Sequence, residues 1–123
     1  MQLILHKKSL KRNIIIRNKW TTIVQEENYL IVEREPALII IPITREGGVI
    51  YTYLVKQYRY PIGKEVWQFP MGTLEKKADP QEHAKKELKE ETELKTSKIT
   101  FAGSYYIDPG LSRQQCYVYI AEE

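Results

Sequence analysis

The chain has 123 residues, 42% of them hydrophobic and 28% charged, and 19 Lys and Arg against 16 Asp and Glu leave a net charge of +3. That length suits one small domain with one modest core, and the composition is not that of a disordered or fibrous chain. No apolar run approaches the ~18 residues of a membrane span, and the mild, scattered positive charge gives no ground for a nucleic-acid partner.

The N-terminus begins apolar but shows no small-residue cleavage site after a long apolar stretch, so no signal peptide is expected. Lys7, Lys8, Lys11 and Arg12 read as a solvated edge. Asn13–Asn18 and Trp20–Glu26 are short β-rich segments, and Tyr29–Glu35 alternates apolar and charged residues before Pro36. Ala37–Thr44 is a continuous apolar run, as in a central strand buried on both faces. Pro42 inside it lacks a ladder donor, which predicts a bulge or an unpaired side there. Arg45–Gly48 is a hairpin turn, and Val49–Tyr58 is the returning strand. Pro61 and Gly63 mark a loop. Val66–Phe69 resumes a strand, and Pro70-Met71-Gly72 breaks it.

A helix is expected from Pro80 to about Leu94. Asp79 is its N-cap, Pro80 suits the first helical position, and Glu82 completes a capping-box-like pair. Its end is weakly signalled, because Glu93 stands where a glycine would stop it. Ile99–Ile107 and Cys116–Ala121 are two further strands, with a loop at Asp108-Pro109-Gly110. Cys116 is the one cysteine, so no intrachain disulfide can form, which fits a reducing cytoplasm. It should be buried and inert.

At 100° per residue, and with Glu87 as origin, Glu91 lies at about 40° and Glu90 at about 300°. The three carboxylates gather beside the apolar strip of Ala84 and Leu88, with Lys85 and Lys89 on the far side. Like charges so placed repel unless a cation joins them, and Mg²⁺ or Mn²⁺ prefers such oxygen ligands. The plainer reading is a solvated Glu/Lys face with i,i+4 pairs Glu82–Lys86 and Lys86–Glu90.

The loop in front of the helix separates the two readings. Gly72-Thr73-Leu74-Glu75, Asp79-Pro80 and Lys86-Glu87-Leu88-Lys89-Glu90-Glu91-Thr92-Glu93-Leu94 resemble a Nudix box. Gln57-Tyr58-Arg59-Tyr60-Pro61, Val66–Gly72 and Tyr105–Ser112 resemble flanking segments of the family's ADP-ribose pyrophosphatase branch. The resemblance runs from about Trp20 to Ala121. It implies an α/β (α+β) Nudix fold with a mixed sheet and one main helix. It also implies divalent-metal-dependent hydrolysis of the diphosphate in ADP-ribose or a related nucleoside diphosphate sugar. By the same carry-over, Glu87, Glu90, Glu91 and the Met71 carbonyl are metal ligands for Mg²⁺ or Mn²⁺, and Glu90 and Glu91 are catalytic. Arg59, Gly72, Pro109 and Gly110 would contact substrate.

The sequence departs from the family at several positions. The box's first glutamate is Ala78, its arginine is Lys86 and its glycine is Glu93. Lys86 keeps the charge without the bidentate fork. Gln114 and Gln115 stand where the branch carries a glutamate after the Pro109-Gly110 turn, and neither amide can act as a general base. The branch's later base-bearing loop and second covering helix have no counterpart before Glu123. One sheet face should then lack its cover, which points to a homodimer. One domain, 1–123, is expected, with a core at 36–123 and N-terminal strands at 1–35 supplying the contact. A second function stays open: a catalytically weakened domain that binds a nucleotide or serves assembly. Trp20, Trp67, Tyr105 and Tyr106 are candidates to stack a base, although packing is their commoner role. His6 and His83 are expected at surface or packing positions.

Overall fold

The computed structural model describes residues 11–92 and 98–123. His6, Glu93 and Leu94 therefore lie outside the described residues. Ten strands and one α-helix are present among those described: β1 Arg12–Arg17, β2 Thr22–Glu26, β3 Tyr29–Glu33, β4 Ala37–Glu46, β5 Val49–Thr52, β6 Val55–Arg59, β7 Lys64–Gln68, β8 Met71–Thr73, α1 Pro80–Glu91, β9 Lys98–Tyr106 and β10 Gln115–Glu122. The helix is not long and apolar enough to cross a membrane.

The central sheet is mixed, in the order β5-β4-β10-β9, with β8 also paired to β4. β10 runs parallel to β4, and the other pairs are antiparallel. The apolar run is therefore the central strand, as its composition demands. Burial alternates along it, with Leu38, Ile40 and Pro42 buried and Ile39, Ile41 and Ile43 half-buried. Only the first of these faces carries α1, through a core of Leu38, Ile40, Ala84, Leu88, Ile99, Tyr119 and Ala121. The expectation of full burial on both faces is thus corrected: among the described residues the second face is half-buried and carries no helix.

Pro42 forms no bulge in the β4–β10 ladder. Its missing donor faces the interval between β8, which pairs at 37–39, and β5, which pairs from 43 onward. Its carbonyl accepts from Thr52 Oγ1 at 2.7 Å. The strand tolerates the proline because that edge has no ladder bond to lose.

Three boundaries differ from expectation. The hairpin turns at Gly47-Gly48 alone, with φ of 57° and 78°, and the strand keeps Arg45 and Glu46. Positive φ at both central residues matches the right-handed twist of the strands, and glycine adopts it without penalty. Val49–Tyr58 is two strands. β5 stays on β4, while β6 leaves to pair with β7 as a separate ribbon. Met71-Gly72-Thr73 is a short strand on β4, where a break was expected.

The helix starts as its cap predicts: Asp79 Oδ1 accepts from Gln81 N at 2.9 Å and Glu82 N at 3.5 Å. Glu82 pairs with Lys85 at 3.2 Å, and the expected partnership with Lys86 does not form. Lys86 reaches Glu90 at 3.8 Å. The helix ends at Glu91, short of Leu94. Thr92 is extended, and both its N–H and its hydroxyl donate to the Leu88 carbonyl, at 2.9 and 2.7 Å.

The sheet β1-β2-β3 is fastened to the turn before β10. Val32 N donates to Leu111 O at 2.9 Å, and Arg113 N donates to Val32 O at 3.1 Å. Arg113 also pairs with Glu26 at 2.6 Å and Glu33 at 3.1 Å, and Arg12 pairs with Glu33 from the other side. The Arg12 hydrogen bond, with Arg113 adding to it, holds the Glu33 carboxyl down to about 2.

Candidate functional site

The β6–β7 ribbon alternates sides, so Gln57 and Arg59 share one face while Lys56 and Tyr58 face solvent. Gln68, at the end of β7, lies on the same side. Arg59 Nε donates to Gln68 Oε1 at 2.6 Å, and its Nη2 donates to Gln57 Oε1 at 2.6 Å. The other end of the Gln57 amide donates to Glu91 Oε2 at 2.7 Å. One glutamine thus fixes a guanidinium and a carboxylate relative to one another. Both line a cavity of about 430 Å³, together with Arg34, Met71, Gly72 and Gln114.

β8 brings backbone against the helix. Gly72 has no Cβ, and one built there would lie 2.3 Å from Glu87 Cδ and 2.6 and 2.7 Å from its two oxygens. The glycine is the space the Glu87 carboxylate occupies. That carboxyl is pushed above the usual range, first by burial and then by the charges of Glu90 and Glu91, with His83 opposing. His83 is buried, as a packing role requires, and its Nε2 lies 3.3 Å from Glu87 Oε1. This contact was not foreseen, although the i,i+4 spacing of a histidine and a glutamate is visible in the sequence.

The expected metal group is therefore assembled in part. Glu87 rests against the Met71–Gly72 backbone, Glu91 opens into the cavity, and Glu90 is exposed beside Lys86. Among the described residues no three His, Cys, Asp or Glu side chains converge closely enough to enclose an ion. Open sites of this kind still suit Mg²⁺, which commonly takes one or two carboxylates and completes its shell with water and substrate phosphate.

Of the expected substrate contacts, Arg59 and Gly72 line the cavity, whereas Pro109 and Gly110 do not. Their turn is closed by Asp108 O, which accepts from Leu111 N at 3.1 Å and Ser112 N at 2.8 Å. It reaches the cavity through its flanks, Ile107 and Gln114. Gln114 Nε2 donates to Glu35 O at 2.9 Å, so this amide is engaged in holding the chain. Arg34 also lines the cavity, and no motif marked it. Cys116 is fully buried, as expected. Packing does not account for the four aromatics: Trp20, Trp67, Tyr105 and Tyr106 are 57%, 64%, 47% and 55% exposed. Lys19 Nζ lies 4.6 Å over the Trp20 ring and Lys56 Nζ 5.6 Å over the Trp67 ring.

The NUDIX domain family matches residues 33–123. An ADP-ribose pyrophosphatase of Bacillus subtilis (strain 168) is 36% identical over 93 residues, which is 76% of this chain and 49% of that protein. A methanol dehydrogenase activator of Bacillus methanolicus is 34% identical over 92 residues, covering 75% of this chain and 48% of that protein. The chain thus spans about half the length of these curated relatives. A solved structure described as an ADP compounds hydrolase superposes with a TM-score of 0.75 over 99% of this chain and 70% of its own. At 16% identity that likeness speaks for the fold alone.

Proposed function

Because this chain belongs to the Nudix family, we propose that it hydrolyses the diphosphate bond of ADP-ribose or a related nucleoside diphosphate sugar, with Mg²⁺ or Mn²⁺ as cofactor. The observation that carries the proposal is the Glu91–Gln57–Arg59 chain of hydrogen bonds at one cavity. A fixed guanidinium fork suits phosphate oxygens, and a fixed carboxylate beside it suits the cation that accompanies them.

Glu87 and Glu91, with Glu90 and the Met71 carbonyl, would hold the ion. When bound, such an ion neutralises the charge that grows on the pyrophosphate as water attacks phosphorus. Arg59 would orient the diphosphate, and the bare Gly72 backbone lets Glu87 come close. Glu91, aimed by Gln57, is the carboxylate placed to act on the reacting water. Pro109 and Gly110 would shape the turn that carries Ile107 and Gln114 to the rim. A second reading, a nucleotide-binding domain with weak turnover, draws on Gln114, whose amide offers no base and is tied to Glu35.

With Mg²⁺ or Mn²⁺, ADP-ribose should give AMP and ribose 5-phosphate, and chelation should stop the reaction. A melting shift with ADP-ribose but no products would support the binding reading and refute hydrolysis.

The protein should also form a homodimer. The half-buried Ile39, Ile41 and Ile43 carry no helix, and every residue of β1 is exposed, with Ile14, Ile15 and Ile16 at 50%, 55% and 62%. Residues 1–35 supply the contact and 36–123 the catalytic core of one domain. Sedimentation at micromolar concentration should give twice the 14.5 kDa chain mass, and a single-chain mass would contradict the proposal.

A further inference from the structure

The cavity that holds Arg59 and Glu91 is one of three that meet at Arg34. Beyond it lies a cavity of about 200 Å³ walled by Trp20, Leu74 and Thr73, and beyond that a cavity of about 440 Å³ formed by the β1–β2 turn, Glu33, Glu35 and Lys76. Arg34 lines all three. Thr73 and Gln114 are shared by the first pair, and Trp20 and Lys19 by the second.

Charge along this trough is unbalanced at its outer end. Arg17, Lys19, Arg34 and Lys76 face two carboxylates, Glu33 and Glu35. Glu33 is already held by Arg12 and Arg113, and Glu35 lies 3.6 Å from Lys76. Arg17 has only a 3.4 Å contact to Thr22 Oγ1, and Lys19 rests over the Trp20 ring at 4.6 Å. Arg12, Arg17, Arg45, Arg59 and Arg113 each have an ion pair or a hydrogen bond, whereas Arg34 has neither among the described residues. The middle cavity adds Glu75 and lacks Arg17, which leaves three cations against two carboxylates, so the larger excess is in the outer cavity. Cations gathered in one concavity repel each other and raise the local concentration of anions.

We propose that the outer cavity is a second anion subsite, and that the preferred substrate carries a further phosphate on the ribose of its nucleoside. The order of the cavities supports this: a site for the diphosphate, then an apolar stretch of nucleoside dimensions, then the basic cavity. Arg34 is the residue that bridges the diphosphate site and the added phosphate. The substrate class rests on the diphosphate reading, but the outer subsite is testable without it.

Binding is measured by titration calorimetry without divalent metal, so that nothing turns over. Two comparisons are made: AMP against adenosine 2′,5′- and 3′,5′-bisphosphate, and ADP-ribose against its 2′- and 3′-phosphorylated forms. The inference predicts that one ribose phosphate, 2′ or 3′, tightens binding at least tenfold in both comparisons, and more so at low salt. Arg34→Ala should cut the gain below threefold, and Arg34→Lys should keep part of it. Equal affinity with and without the ribose phosphate, or a gain that survives Arg34→Ala, overturns the subsite. If the bisphosphates show the gain but ADP-ribose with Mg²⁺ or Mn²⁺ yields no products, the subsite stands and the diphosphate reading falls.

Discussion

Replacing Glu91 by glutamine should slow ADP-ribose hydrolysis by roughly a hundredfold or more, the scale of losing a carboxylate that acts on a transferred proton or on the charge of the reacting phosphate. The substitution is nearly isosteric. Gln57 Nε2 donates to Glu91 Oε2 at 2.7 Å, and an amide oxygen in that place can accept the same bond. Gln57 can then still hold Arg59 at 2.6 Å. The loss is therefore one of charge, not of shape. The melting temperature should stay close to that of the wild type, because Glu91 is only half-buried and outside the core cluster. Wild-type turnover in the variant would remove Glu91 from the mechanism. A large fall in melting temperature would show that it supports the fold.

Gly72→Ala should have the second largest effect, and it separates function from stability. The added methyl would sit 2.3 Å from Glu87 Cδ, a distance no structure accommodates. What it meets is the far end of a flexible side chain, so the carboxylate can swing aside at small cost in stability. The movement takes Glu87 away from the Met71–Gly72 backbone and from its companions. Turnover should fall roughly 10- to 100-fold, as when a metal ligand is misplaced, and the Mg²⁺ concentration needed for half-maximal rate should rise. Melting should change by about 1 kcal/mol or less, within the range of substitutions that leave the core intact. An unchanged Mg²⁺ requirement would contradict the place assigned to Glu87.

Much of this architecture is written in local chemistry. Ala37–Thr44 could only be a central strand, Asp79-Pro80 could only start a helix, and the spacing of Glu87, Glu90 and Glu91 fixes their common side. What stayed hidden depended on neighbours distant in the chain. Val49–Tyr58 has uninterrupted β-propensity, yet it divides where the chain leaves β4 for β7, a choice made by pairing partners and not by propensity. Pro70 reads as a break, yet Met71–Thr73 pairs with β4 because Leu38 and Ile39 offer an edge. The site divides in the same way. Gln57, Arg59 and Glu91 lie in recognisable segments, but the bond between Gln57 and Glu91 spans 34 positions and no spacing announces it. Arg34 belongs to no motif, and its importance comes from the cavities that close around it. Helix geometry put Glu90 beside Glu87 and Glu91, but it could not show that the Glu90 side chain is exposed, 3.8 Å from Lys86.

The glutamine at position 114 sharpens the central question. Its amide is spent on Glu35, and the proposed hydrolysis leaves the action on water to the helix carboxylates. The most direct test is to incubate the protein with ADP-ribose and Mg²⁺ in ¹⁸O-water and to follow the products by mass spectrometry. Diphosphate hydrolysis predicts AMP and ribose 5-phosphate, with one ¹⁸O atom in one of the two and none from water in the other. ADP-ribose that stays intact and unlabelled, while raising the melting temperature of the protein, would contradict hydrolysis and leave a nucleotide-binding domain in its place.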